Sequence, residues 1–251
     1  MSSEKASAIV IRTVEFSETS LVVTLFTREF GKIGALAKGA RRLKGPFESA
    51  LDLLALCRIV FLHKSSEALD LLTEAKLLRR FRPPGRNLPA LYAAYYVAEL
   101  LGAMTDDDAP HPKLFDLADE TLAALAGGEP VAKWVVRFEL GALRLLGHAP
   151  SLETCVECGA AVALSGRVAF GLLDGGVLCP HCRAGKKEVV QVSAGVLRTI
   201  AQLADPNGIV WRHMEVSPGS VGEMRSLLNR YFTHLLGRKP RMHEYLRMLK
   251  N

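Results

Sequence analysis

Four cysteines carry the clearest chemistry in this sequence, as Cys155-Val156-Glu157-Cys158 and Cys179-Pro180-His181-Cys182. Each pair is a C-x2-C step, and twenty residues separate the two pairs. That spacing lets two tight turns bring four thiolates onto one tetrahedral ion, the arrangement of a closed structural zinc site. Gly159 follows the first knuckle, where a chain reversal needs a residue tolerant of positive φ. Gly171, Gly175 and Gly176 supply turns around the apolar stretch Val168-Ala169-Phe170. Residues 152 to 186 therefore read as a zinc ribbon or finger-like insert, against the plainer alternative of two disulfides or unrelated core thiols. Four thiolates leave no open coordination position, so the expected zinc is structural and does not activate water. His181, inside the second knuckle, is expected to face solvent or to stand behind the ligands.

Other reactive residue types are scattered. The seven histidines lack an evident catalytic partner, and no phosphate-binding glycine loop, nucleophile elbow or H-E-x-x-H helix occurs. The expectation is a protein that is not an enzyme. Asp106-Asp107-Asp108 reads as a solvated inter-helix loop, because three consecutive carboxylates cannot converge on one ion from a regular element.

Positive charge is the second signal. The chain of 251 residues carries a net charge of +6, which favours an anionic partner. Residues 1 to 83 hold 14 Lys/Arg against 9 Asp/Glu, and residues 225 to 251 hold seven against one. The sharpest cluster is Lys38-Gly39-Ala40-Arg41-Arg42-Leu43-Lys44, a glycine-containing loop whose Lys38, Arg41, Arg42 and Lys44 can track phosphates without reading bases. A second is Arg79-Arg80-Phe81-Arg82, where Phe81 is equally a stacking group or a core residue. A third holds Arg238, Lys239 and Arg241, either a phosphate-contacting patch or the basic end of a helix.

The elements that must position these residues change type along the chain. Ala8 to Val14, Leu21 to Phe26, Ile33 to Ala37, Leu54 to Leu62 and Leu69 to Thr73 read as five short strands. Glu29-Phe30-Gly31-Lys32 reads as a hairpin connection. Five strands in about eighty residues suggest a small closed barrel, with SH3-like barrels as the competing architecture. Arg82-Pro83-Pro84-Gly85 reads as a linker. Beyond it, helices are expected after an Asn87 cap, from Pro112, from Val131 to Leu145, after a Ser193 cap, and from about Gly219 to Leu236. Cys57 lies in an apolar run and reads as a core residue. Residues 1 to 7 are polar, and Leu91 to Met104 is interrupted by Glu99 and too short to span a bilayer. With four of five cysteines in metal spacing, a reducing cytoplasm is expected.

The combination resembles the bacterial RecO recombination mediators. The residues that carry the resemblance are Thr24-Leu25-Phe26-Thr27, Phe30-Gly31-Lys32, Ala37-Lys38-Gly39-Ala40-Arg41-Arg42 and the two cysteine knuckles with Gly159. It covers essentially the whole length. It implies an α+β fold, with an OB-fold barrel over residues 1–80 and a helical domain over 81–251 carrying the four-cysteine zinc finger at about 152–186. It implies binding of single- and double-stranded DNA, annealing of complementary strands, and partnership with RecR. Contact with the single-stranded-DNA-binding protein is also implied, to help load RecA in the nucleoid. DNA contact is expected at Lys38, Arg41, Arg42 and Lys44, then at Arg79, Arg80 and Arg82. Only Phe16, Phe26, Phe30, Phe47 and Phe61 precede Phe81, so phosphate contact is expected to outweigh base stacking. The alternative reading is a zinc-ribbon RNA-binding or transcription- and translation-associated protein.

Overall fold

A computed structural model describes residues 2–42, 47, 50–64 and 68–246. Its first half is a closed five-stranded barrel made of β1 (Ser2–Glu15), β2 (Leu21–Thr27), β3 (Gly31–Ala37), β4 (Leu56–His63) and β5 (Asp70–Arg79). Strands run in the order β1-β2-β3-β5-β4 and back to β1. All neighbours are antiparallel except β3 and β5, which pair in parallel through Ala35, Leu36 and Ala37. This order is the OB-fold architecture that the resemblance implies, and it disposes of both sheet edges.

Strand parity builds the core. Ala8, Val10, Val23, Leu25, Ile33, Ala35, Cys57, Ile59, Phe61 and Leu72 point inward and are buried. Phe47, Ala50, Leu51 and Ala55, from the segment before β4, pack on the same core. A bulge between Val10 and Arg12 shifts β1 against β2. Val10 and Leu54 exchange backbone contact there, with Leu54 N–H donating to Val10 O at 2.8 Å and Val10 N–H to Ala55 O at 3.0 Å. Cys57 is fully buried, and burial pushes its thiol up to about 12.

The β2–β3 hairpin turns at Gly31, with φ 74° and Leu25 opposite Ile33 as the sequence suggests. This glycine also allows a close approach, because a Cβ there would stand 2.1 Å from the Ala109 carbonyl oxygen. Ala109 belongs to the loop between α1 (Leu88–Met104) and α2 (Pro112–Gly127). Asn87 caps α1 by accepting from Ala90 N–H. Lys32 closes its other end, donating to Gly102 O at 3.0 Å and Thr105 O at 2.6 Å and pairing with Asp107 at 3.3 Å. A cation is favoured at a helix C-terminus, where carbonyls lack partners. The triple-aspartate segment is a loop, as expected, but it is fastened to the hairpin, with Asp108 N–H donating to Lys32 O. By packing, residues 1–131 form one compact unit and 132–251 another.

The second unit contains α3 (Val131–Leu145), α4 (Ala194–Ala204), the short α5 (Val210–His213) and α6 (Pro218–Leu236), ending in a 3-10 turn at Arg241–His243. Ser193 and Ser217 cap α4 and α6 through their side-chain oxygens. Between α3 and α4 lies a three-stranded antiparallel sheet of β6 (Arg167–Gly171), β7 (Gly176–Leu178) and β8 (Val189–Ser193), in the order β7-β6-β8. Glu139 on α3 is fully buried and ion-paired with Arg225 on α6. No helix among the described residues is long and apolar enough to cross a membrane.

Candidate metal centre and nucleic-acid surface

The small sheet sets the cysteines in place. Ser151 runs beside β7, its N–H donating to Gly175 O at 3.0 Å and its carbonyl accepting from Val177 N–H at 2.9 Å. Val156 N–H then donates to Val177 O at 3.0 Å, which pins the first knuckle to β7. The second knuckle starts where β7 ends, since Cys179 follows Leu178 directly. Each knuckle is a tight turn. Gly159 takes φ 72° and donates to Cys155 O at 2.8 Å, while Cys155 N–H donates to Ala160 O at 2.8 Å. In the second, Cys182 N–H points at Cys179 Sγ at 3.4 Å.

As a result the four Sγ atoms of Cys155, Cys158, Cys179 and Cys182 lie within 4.8 Å of one another, with Cys158 and Cys179 Sγ 3.9 Å apart. Four sulfurs around a tetrahedral ion at about 2.3 Å would be about 3.8 Å apart, so the cluster has the dimensions of a metal site. All five cysteines are free thiols. The site is graded in exposure: Cys155 is buried beside Ala169 and Leu178, Cys179 and Cys182 are half-buried, and Cys158 is exposed. Backbone N–H groups of Cys179 and Cys158 draw the Cys155 thiol down to about 6. Hydrogen bonding to the Cys179 and Cys158 sulfurs pushes Cys182 up to about 12. Thiolates in such proximity repel, and a cation removes the conflict. His181 is exposed and does not join the cluster.

Lys186 was not singled out by its sequence context. It reaches Glu157, between the first two cysteines, at 2.5 Å and Asp174, in the β6–β7 turn, at 2.7 Å. Both carboxylates hold its pKa above the ordinary lysine value, Asp174 most strongly. It ties the first knuckle to the sheet. A lysine four residues past the last cysteine carries no local signal for that role, which depends on two carboxylates brought together by the turns.

The basic positions divide by what already holds them. Lys38 and Arg42 are exposed, and among the described residues no carboxylate pairs with either. Arg41 is exposed and pairs with Glu15 at 3.1 Å; its N–H donates to Thr19 O at 3.0 Å, so the start of this loop leans on the β1–β2 turn. Lys44 lies outside the described residues. Arg79 is ion-paired with Asp119 on α2, and Arg80 lies 3.4 Å from Asp52. Arg82 is exposed and Phe81 is half-buried. In the second unit, Arg238, Lys239 and Arg241 are exposed around the end of α6, with Lys239 paired to Glu244 at 2.9 Å. Of the barrel phenylalanines, Phe26, Phe47 and Phe61 are buried and Phe30 packs against Phe61, while Phe16 is 65% exposed.

Comparison with known proteins places this architecture. Residues 1–81 match the family model for the recombination protein O N terminal region, and residues 85–244 match that for its C terminal region. The DNA repair protein RecO of Rhodopirellula baltica is 43% identical over 95% of this chain and 97% of its own length. The protein of the same name from Anaeromyxobacter dehalogenans is 34% identical over 95% and 94%. That of Moorella thermoacetica is 30% identical over 96% and 90%. The barrel, the helical unit with its four-cysteine sheet, and these matches along both halves agree: the chain belongs to the RecO family of DNA repair and recombination proteins.

Proposed function

We propose that this protein binds single- and double-stranded DNA, anneals complementary strands and, with RecR, helps load RecA onto single strands covered by the single-stranded-DNA-binding protein. The observation that carries the reading is the pair of exposed cations Lys38 and Arg42, with no carboxylate partner among the described residues, in the glycine-containing loop of a RecO-family barrel. Annealing needs no covalent chemistry, and the protein acts as a mediator rather than an enzyme. Two strands repel through their phosphates; cations that neutralise both lower that barrier and release counterions.

Lys38, Arg41, Arg42 and Lys44 are the leading candidates for phosphate contact, followed by the exposed Arg82. Arg79 and Arg80 hold carboxylates of their own unit, so a phosphate must compete for them. Arg238, Lys239 and Arg241 form a separate patch in the second unit. The working division is a DNA-binding barrel over residues 1–80 and a helical domain over 81–251, in a cytoplasmic, nucleoid-associated protein. The metal is Zn2+, held by Cys155, Cys158, Cys179 and Cys182. With no open position it serves folding, a contribution of about 10–16 kcal/mol in comparable small sites.

The test is annealing of complementary oligonucleotides precoated with the single-stranded-DNA-binding protein. Wild type is expected to accelerate it, and a variant with Lys38, Arg41, Arg42 and Lys44 changed to alanine is expected to lose that acceleration while keeping its fold and zinc. Affinity for a single strand should fall with salt, with a log–log slope of roughly −0.7 per phosphate contacted. Salt-independent binding, or equal annealing by both proteins, would refute the assignment of this loop.

A further inference from the structure

The outer face of the first strands changes character along its length. Near α1 and α2 it is covered. Ile9 is 1% exposed and Phe26 is fully buried, stacked on Phe115 of α2 at 6.2 Å between ring centres. Ile11 packs under Gly102 of α1. Past the β1 bulge the β1 side of this face opens to solvent, while Val22 and Thr24 on β2 are half-buried. Arg12, opposite Thr24, and Val14, opposite Val22, have the outward parity, because the alternate positions Val23 and Leu25 fill the barrel. Arg12 is exposed and Val14 is 42% exposed. Phe16 continues the alternation at 65% exposure, its N–H donating to Ser20 O at 3.1 Å.

The register extends this row. Val22 stands opposite Leu36 and Leu21 opposite Ala37, where β2 begins and β3 ends, so Ser20 and Lys38 are the next residues beyond the paired strands. Phe16, Ser20 and Lys38 thus lie just outside β1, β2 and β3 at the same end of the barrel, where Arg41 N–H donating to Thr19 O ties the basic loop to the β1–β2 turn. Ser20 between them is only 9% exposed, while Phe16 and Lys38 are open to solvent. Carboxylates are kept off this row: Glu15 has the opposite parity and is engaged by Arg41, and Glu18 lies in the turn beyond Phe16. The result is an exposed aromatic just past β1, held by its N–H to Ser20 O, with Arg12 on the same strand and the basic loop of Lys38 and Arg42 tied to the same turn.

We propose that this row is the seat of single-stranded DNA, with Phe16 stacking on an unpaired base while Arg12, Lys38 and Arg42 meet the flanking phosphates. This inference rests on the DNA-binding reading above and adds the group that tells single strands from duplex. A residue on a flexible segment would lose conformational freedom on binding, whereas the backbone of Phe16 is already held by its hydrogen bond to Ser20. A duplex offers no free base face to stack on, whereas its phosphates remain open to the cations. The positive charge of the surround and the absence of carboxylates from the row suit a polyanion, which decides for nucleic acid over an apolar protein partner. It adds a stacking group to the expectation that phosphate contact outweighs base stacking in a barrel poor in aromatics. The shortage is real, but the one exposed phenylalanine of the barrel stands beside the basic loop.

The experiment compares wild type, Phe16→Ala, Phe16→Leu and Phe16→Trp by fluorescence anisotropy on three probes. These are oligo(dT), an abasic oligonucleotide of equal length, and a duplex of equal length. Phe16→Ala and Phe16→Leu are expected to weaken oligo(dT) binding by roughly 5- to 150-fold, the equivalent of about 1–3 kcal/mol of base stacking. Binding of the abasic strand and the duplex should be unchanged, and Phe16→Trp should retain oligo(dT) affinity. If Phe16→Ala binds oligo(dT) as wild type does, or loses affinity equally for all three probes, the stacking role is overturned and the DNA-binding reading survives. If wild type binds none of the three, both fall together.

Discussion

Cysteine is used in two ways in this chain, and side-chain environment separates them. Cys57 is enclosed by barrel core and held protonated, whereas the four knuckle thiols surround a common point. Metal-loaded protein should therefore resist alkylation at all five positions. After removal of the metal by a chelator, mass spectrometry should find Cys155, Cys158, Cys179 and Cys182 modified while Cys57 stays untouched until the barrel is denatured. Modification of Cys57 before the knuckles would contradict the packing described. His243 provides a second residue-scale prediction. It is 1% exposed, and burial together with the charges of Arg225 and Lys239 pushes its pKa down to about 3. The unfolded chain takes up a proton near the ordinary value of about 6.5, so the unfolded state holds more protons between those values. Stability is full above about pH 6.5 and falls on acidification, by up to about 1.4 kcal/mol per pH unit. Urea denaturation of the metal-loaded protein should show this slope, and His243→Gln should flatten it. Both residues have plain sequence contexts. An apolar run around Cys57 was enough to place it in the core, whereas nothing local marks His243, because its burial comes from elements distant in sequence.

At the scale of elements, period and caps carried far. The strands over 21–26 and 33–37, the Asn87 and Ser193 caps and the Gly31 turn are where residue type and spacing put them. Local pattern weakened where packing took over. β5 runs on to Arg79 rather than stopping at Thr73, because Ala75 and Leu77 alternate with the polar Glu74 and Lys76 and the apolar run is broken. The four-residue α5 is too short to show a period. Two roles were invisible: Lys32 as the closing cation of α1, and Lys186 as the tie between knuckle and sheet. Each depends on carbonyls or carboxylates that only the tertiary fold assembles. The hairpin gives the sharpest test of this scale. Gly31→Ala must drive a methyl group into the Ala109 carbonyl at a left-handed backbone angle. It should destabilise the first unit by more than about 1 kcal/mol, read as a lower denaturation midpoint, with no loss of bound metal.

For the whole molecule, the family models divide the chain between residues 81 and 85, but packing groups α1 and α2 with the barrel. Phe26 and Phe115 stack, Arg28 forms a two-pronged bridge to Asp116 at 2.8 and 3.1 Å, and Lys32 closes α1. A fragment ending at residue 81 would bare Ile9, Ile11 and Phe26, an apolar patch prone to association. A fragment ending at 131 should behave as a cooperative monomer, while the shorter one aggregates or melts much earlier; light scattering and calorimetry separate the two outcomes. The division into barrel and helices was legible from composition, since strand-like and helical stretches meet at Pro83-Pro84. That the first two helices complete the barrel was not, because it rests on contacts between surfaces that no local pattern labels.

The parallel pairing of β3 with β5 has a consequence for how the protein is born. A chain emerging from the ribosome presents β1, β2 and β3 as an ordinary antiparallel meander, with β3 ending in an unsatisfied edge. The strand that pairs with that edge begins only at Asp70, and β1 likewise waits for β4. Until β5 has cleared the exit tunnel, the nascent barrel is an open sheet with two sticky margins. Premature termination in this interval yields a species suited to recruiting chaperones or copies of itself. Closure of the ring is thus deferred to the synthesis of residues 70 to 79, and the cover of its outer face to the helices that follow.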